Sequence, residues 1–98
     1  MSESRRRARV DHGTVYREVQ GETVLLQLES GDYFGLDAVG TRIWQLIIEK
    51  SDLAEVEAAL RKEFDAEEDV VSRDFATLVD ELASRRLIHI ELAEIDND

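Results

Sequence analysis

Residues 24–47 read VLLQLESGDYFGLDAVGTRIWQLI, and the change of period inside this stretch decides the fold. Its opening is rich in β-formers, with Val24, Leu26 and Leu28 sharing one face at period two. Glu29-Ser30-Gly31-Asp32 is a turn signal, and Tyr33 to Leu36 makes a further short strand. Asp37 has the character of a helix N-cap: its carboxylate can accept an orphan N–H, and its charge suits the helix dipole. Behind it Val39, Ile43, Leu46 and Ile47 recur at i, i+4, i+7 and i+8, a helical stripe that Trp44 and Ile48 widen. Gly40 costs such a helix about 1 kcal/mol relative to Ala, so a glycine there points to close backbone packing against the strand before it.

Upstream, Thr14 to Val19 alternates, with Val15 and Val19 on one face, and ends at the turn signal Gln20-Gly21. Turns this short join antiparallel neighbours, so three strands form a meander. Residues 1–12 are polar and Arg-rich with no apolar h-region, and read as a flexible lead-in rather than a secretory signal. Downstream, Ser51 or Asp52 caps a second helix with Leu53, Val56, Leu60 and Phe64 as its stripe. An acidic loop spans Asp65–Asp69. The third helix runs from Val70 to Ser84, with apolar positions at Val71, Phe75, Leu78, Val79 and Leu82. Arg85 and Arg86 sit where cations favour a helix C-terminus. Leu87 to Leu92 reads as an extended segment or wing, and residues 93–98 as an acidic tail. Strands first and helices afterwards is an α+β arrangement. A three-stranded antiparallel sheet followed by three helices also matches a winged helix-turn-helix. The domain is expected over residues 13–92, between the two tails.

The chain has 98 residues, 43% of them apolar, which allows one modest core. Domains this small bury only about 60–65% of their unfolded surface, so stability should be marginal. Without cysteine there is no disulfide scaffold, thiolate metal site or cysteine nucleophile. No apolar run approaches the roughly 20 residues that cross a bilayer. A cytoplasmic location is expected. The formal charge is -11, and it is unevenly placed: residues 49–98 carry 16 acids against 6 bases. An acidic body repels phosphate, which dominates nucleic-acid affinity. Arg5, Arg6, Arg7 and Arg9 make the one basic patch. The third helix, which would be the recognition helix of a DNA reader, carries Asp74, Asp80 and Glu81 against Arg73. No nucleic-acid partner is expected.

The catalytic inventory is poor. His12 and His89 are far apart and lack ligand spacing. His89 alternates with Ile88 and Ile90 and is expected to face solvent. The carboxylates from Glu63 to Asp69 lack the glycine and alternating oxygen ligands of a calcium loop. Gly13, Gly21, Gly31, Gly35 and Gly40 form no phosphate cradle. No enzyme activity, metal or cofactor is expected. A peptide is the remaining target. A small antiparallel sheet has edges with unpaired N–H and C=O groups, and such an edge beside an amphipathic helix can capture an extended peptide by strand addition. The strand at Tyr33–Leu36 supplies the edge and the third helix the other wall. Phe75, Leu78 and Leu82 belong either to that wall or to the core. Asp69, Asp74, Asp80 and Glu81 either favour a peptide with Lys or Arg or form a solvated helix face.

Val24, Leu25, Leu26, Gly31, Phe34, Leu36, Asp37, Gly40, Ile43 and Trp44, in that order, resemble the pattern of the PqqD-like family. These are the RiPP recognition elements, which bind leader peptides of ribosomally made natural products. The second helix, the acidic loop, Asp74-Phe75 and Leu82 with Leu87-Ile88 extend the likeness over about residues 14–90. The resemblance implies a winged-helix-like fold of three strands and three helices, with the leader adding to the third strand in a groove walled by the third helix. The peptide-binding residues it implies are Asp32, Tyr33, Phe34, Gly35, Leu36, Asp69, Phe75, Leu78, Val79 and Leu82, the backbone of Asp32 to Gly35 doing most of the pairing. The Phe-Gly-Leu-Asp and Gly-Thr-Arg-Ile-Trp version is most similar to the stand-alone elements of lasso-peptide clusters. Such an element presents the precursor to a separate cysteine protease, the leader peptidase, and a cyclase acts afterwards. Leaders there usually carry a Tyr and a Pro a few residues apart. Asp37 stands where Asn is commoner in the family, which leaves the alternative of a PqqD-type chaperone for a radical SAM enzyme. The expected partners are a precursor leader and a peptidase, with no membrane, and a monomer or weak dimer through the open edge.

Overall fold

The computed structural model describes residues 2–64 and 68–96, with side chains over 5–64 and 70–92. The strands are β1 (Ser2–Val10), β2 (Thr14–Val19), β3 (Glu22–Gln27), β4 (Asp32–Leu36) and β5 (Ile88–Asp96). The helices α1 (Ala38–Lys50), α2 (Leu53–Glu63) and α3 (Glu68–Ser84) lie between β4 and β5. Two antiparallel sheets result: a meander in the order β2-β3-β4, and a ribbon of β1 with β5. The expected α+β arrangement, three antiparallel strands followed by three helices, is the one observed.

Local chemistry accounts for the turns and caps. Gln20 and Gly21 both take positive φ, 54° and 81°, as a two-residue hairpin between right-twisted strands requires. Asp37 caps α1, its carboxylate accepting from the Gly40 N–H at 2.8 Å. Asp52, rather than Ser51, caps α2 through the N–H groups of Ala54 and Glu55. A Cβ on Gly40 would lie 3.2 Å from the Leu36 side chain. The glycine lets the start of α1 close onto the end of β4.

The core is built on Trp44, Leu46 and Ile47 of α1, Val56 and Leu60 of α2, and Val79 and Leu82 of α3, closed by Leu25, Leu87 and Ile88. Tyr16 meets Trp44 edge-on, with ring centroids 5.3 Å apart. The meander covers this core with the face of Thr23, Leu25 and Gln27, not with the apolar face of Val24, Leu26 and Leu28 that period two picks out. Val24 and Leu28 are 48% and 60% exposed, whereas Thr23, Leu25 and Gln27 are buried. Val15 and Val19 also face outward. Alternation at period two fits either phase, and a shift of one residue exchanges the faces. Here the inward phase contains two polar residues whose hydrogen bonds are made inside. Thr23 Oγ1 pairs with Thr41 Oγ1 at 2.9 Å. Gln27 Nε2 donates to the Arg86 carbonyl at 2.6 Å and to Asp11 at 3.1 Å, and its Oε1 accepts from the Glu29 N–H. Satisfied in this way, they are tolerated in the interior.

Residues 2–10 form a strand where a flexible lead-in was expected, and β5 continues to Asp96 where an acidic tail was expected. The two pair over nine residues, from Ser2 opposite Asp96 to Val10 opposite Ile88. Ala8 is buried and its N–H donates to the Ser51 carbonyl at 2.9 Å. Arg5 reaches the buried cap Asp52 at 3.1 Å, and Arg9 meets Glu91 at 2.7 Å. Burial opposes the charged form of Asp52, but Arg5 and the N–H groups of Glu55 and Ala54 outweigh it and hold its carboxyl below the usual range. His89 is half-buried rather than free in solvent: its Nε2 lies 2.5 Å from Asp11 Oδ1. His89, then Gln27, then the Gly13 N–H hold the Asp11 carboxyl well below its ordinary value. Asp11 thus ties the ribbon to the meander.

Candidate functional site

β4 is an edge strand of the meander: β3 pairs with one side of it, and no strand among the described residues pairs with the other. Beside that open edge lies a groove of about 450 Å³ between β4 and α3. Phe34, Gly35 and Leu36 form the strand side, and Val39, Gly40 and Ile43 of α1 close the floor. The opposite wall is Asp74, Thr77, Leu78 and Glu81 of α3. These four recur at i, i+3, i+4 and i+7, one face of the helix. Arg85, just past α3, holds its guanidinium carbon 4.8 Å from the centroid of the Phe34 ring, close enough for a cation–π contact. A smaller hollow of about 130 Å³ among Leu60, Phe64, Val70, Val71 and Phe75 opens from the same place and shares Val39, Ile43 and Asp74 with the groove.

The residues expected to bind peptide separate into several groups. Phe34, Gly35, Leu36 and Leu78 come together in the groove. Phe75 faces the adjoining hollow. Val79 and Leu82 are 2% and 0% exposed and lie in the core. Asp32 opens β4 and lines a shallow polar hollow with Arg85 and Arg86. Tyr33 points to the outer face of the sheet and is 68% exposed. Asp69 belongs to the first turn of α3, and its side chain lies outside the described residues, as does the loop at 65–67. Asp80 does not line the groove.

The sequence reading placed Val39 and Ile43 in the apolar stripe of α1, took Gly40 as a point of close packing against the strand, and left Thr77 aside. Val39 is in fact 43% exposed at the groove. The i, i+3, i+4, i+7 spacing from Asp74 to Glu81 was the available signal for the wall, obscured because only Leu78 of the four is apolar.

The groove combines an open strand edge with an apolar floor. Its titratable side chains are carboxylates. Asp37 is committed to capping α1. Those of Asp74 and Glu81 make no hydrogen bond or ion pair among the described residues. Likewise no group of three or more His, Asp and Glu among these residues is gathered to hold a metal.

A second surface is conspicuous on the far side of the same sheet. Register places Val15 beside Leu26 and Leu26 beside Tyr33, with Arg17, Val24 and Gly35 in the next row. Val15, Val19, Val24 and Tyr33 are 45–68% exposed there. These apolar side chains lie side by side on the outer face of the sheet. No helix of the described residues is long and apolar enough to cross a membrane.

The family model described as coenzyme PQQ synthesis protein D (PqqD) matches residues 22–88. Two solved structures share the architecture. One, described as TbiB1 in complex with the TbiA(beta) leader peptide, aligns with a TM-score of 0.77 and 36% identity, over 83% of this chain and 94% of that one. Another, described as lasso peptide synthetase B1 complexed with the leader peptide, aligns with a TM-score of 0.73 and 26% identity, over 84% and 96%. No curated protein matches the chain.

Proposed function

The chain belongs to the PqqD family, and from that premise we propose that it binds the leader of a ribosomally made precursor peptide and delivers it to a leader peptidase in lasso-peptide maturation. The observation that carries this reading is the edge of β4, unpaired among the described residues, beside a groove with an apolar floor. The leader extends the meander by one strand, with its alternate side chains turned toward α3. Four or five net hydrogen bonds at about 0.5–1.5 kcal/mol each leave little after the peptide is ordered. An aromatic leader side chain buried against Leu36, Ile43 and Leu78 adds about 1.5–3 kcal/mol. Together these support micromolar to nanomolar binding, with the apolar contacts deciding selectivity.

The chain does no chemistry of its own in this reading. The two leader-peptide complexes among its structural neighbours favour the lasso role over service to a radical SAM enzyme. Delivery needs a surface that the bound leader leaves free. The outer face around Val15, Val24, Leu26 and Tyr33 meets that need, since it lies across the sheet from α3 and is apolar enough to be covered by a partner. The test is calorimetric titration of the chain with the leader encoded beside it, a scrambled leader serving as control. Saturable one-to-one binding absent with the scramble is the expected result. Binding of neither peptide, alone or with the peptidase present, would overturn the reading.

A further inference from the structure

We propose that the groove selects leaders in which a Lys or Arg stands two residues from an apolar anchor residue, read by Asp74 and Glu81. The inference rests on the peptide-binding reading above and deepens it. Of the three acids of α3 whose side chains are described, Asp74, Asp80 and Glu81, the structure separates two from the third. Asp74 and Glu81 line the groove, with Leu78 between them. Asp80 lies off that face, exposed elsewhere. The carboxylates of Asp74 and Glu81 are exposed and unpaired among the described residues, so each is available to a ligand.

Spacing turns this into a pattern. At 1.5 Å rise per residue, Asp74 lies about 6 Å along the axis on one side of Leu78, and Glu81 about 4.5 Å on the other. In an extended peptide, side chains on one face are about 6.6 Å apart. The stripe follows the groove, because Arg85 stands over Phe34 at one end while Asp74 reaches the hollow lined by Val39 and Ile43 at the other. An apolar leader residue seated on Leu78 therefore places its neighbours two positions away beside the two carboxylates, within reach of a Lys or Arg head group. Arg85 sets the boundary: its positive charge disfavours a further base past the Phe34 end.

The test is selection of a random twelve-residue display library on the immobilised full chain, on the Asp74→Lys/Glu81→Lys variant, and on Asp80→Lys as a charge control. Wild-type selection is expected to enrich Lys or Arg two residues from an apolar position. The double variant should lose or invert that preference and bind the wild-type winners about three- to tenfold more weakly, as expected for partly exposed ion pairs. Asp80→Lys should bind them within twofold of wild type. Thermal melting checks that each variant is folded. Common apolar patterns without a basic preference would overturn this inference and leave peptide binding standing. A basic preference that persists in the double variant, or that Asp80→Lys removes equally, would also overturn it. Absence of any enriched peptide would overturn both readings.

Discussion

The two faces of the β2-β3-β4 sheet invert the usual assignment. The inner face buries Thr23 and Gln27 beside Leu25, while the outer face leaves Val15, Val24, Leu28 and Tyr33 in water. Polarity alone would exchange them. The inner polar groups are admitted because each has its partners: Thr41 for Thr23, and Asp11, Arg86 and Glu29 for Gln27. Nothing in the described structure covers the outer apolar groups. Buried polarity here locates the joints of the fold, and exposed apolarity leaves a face for the proposed partner.

Truncation tests that contrast most directly. Leu25→Ala removes a fully buried side chain and should cost about 2–5 kcal/mol, lowering the melting temperature by at least about 10 °C. Val24→Ala, one residue along, should stay within about 0.5 kcal/mol. Equal effects would break the assignment of faces. Gln27→Leu comes next. It strips hydrogen bonds from the Arg86 carbonyl and Asp11, and a loss of about 1–3 kcal/mol in denaturant melts is expected. A neutral result would show that Gln27 is tolerated there rather than required.

Function sharpens the comparison further. Leu78→Ala in the groove should raise the leader dissociation constant about tenfold by calorimetry, the worth of a partly buried apolar contact. Val24→Glu on the outer face should leave that constant within twofold and abolish leader-dependent stimulation of the peptidase. If both variants fail in the same assay, the two surfaces are not separate.

The smallest effect is acid sensitivity. Asp11 and Asp52 have carboxyls held below the ordinary value of 3.8. Their stabilisation is complete above about pH 5 and is lost as pH falls through the lowered values. Asp52→Asn, which keeps a capping oxygen but not the charge facing Arg5, should flatten the fall in melting temperature between about pH 5 and pH 2. An unchanged slope would assign the effect to Asp11 or to other carboxylates.

Helices were the legible part of the fold. The stripes from Val39 to Ile47, from Leu53 to Phe64 and from Val71 to Leu82 located all three, because the period of 3.6 is written locally. The strands of the meander were legible in position but not in phase, since Thr23 and Gln27 look solvent-facing until Thr41, Asp11 and Arg86 are beside them. β1 was not legible. Only Ala8 and Val10 mark its inward side, and its partner residues lie about eighty positions away, as Arg9 opposite His89 illustrates. The groove was legible as an edge and a helix, through Phe34, Gly35, Leu36 and Leu78, which line it. Val79 and Leu82 share the apolar character of Leu78 and belong to the core. Which of three neighbouring apolar residues faces an opening depends on where α3 stands relative to β4, and no local pattern records that.

The ribbon of β1 with β5 has one more consequence. With Ser2 registered opposite Asp96, the chain enters and leaves side by side. A unit of this kind can be spliced into a surface loop of another protein without prising that loop apart, or joined tail to head by a few residues and reopened elsewhere. The same fold is thus suited both to standing as a separate subunit and to being built into a larger chain.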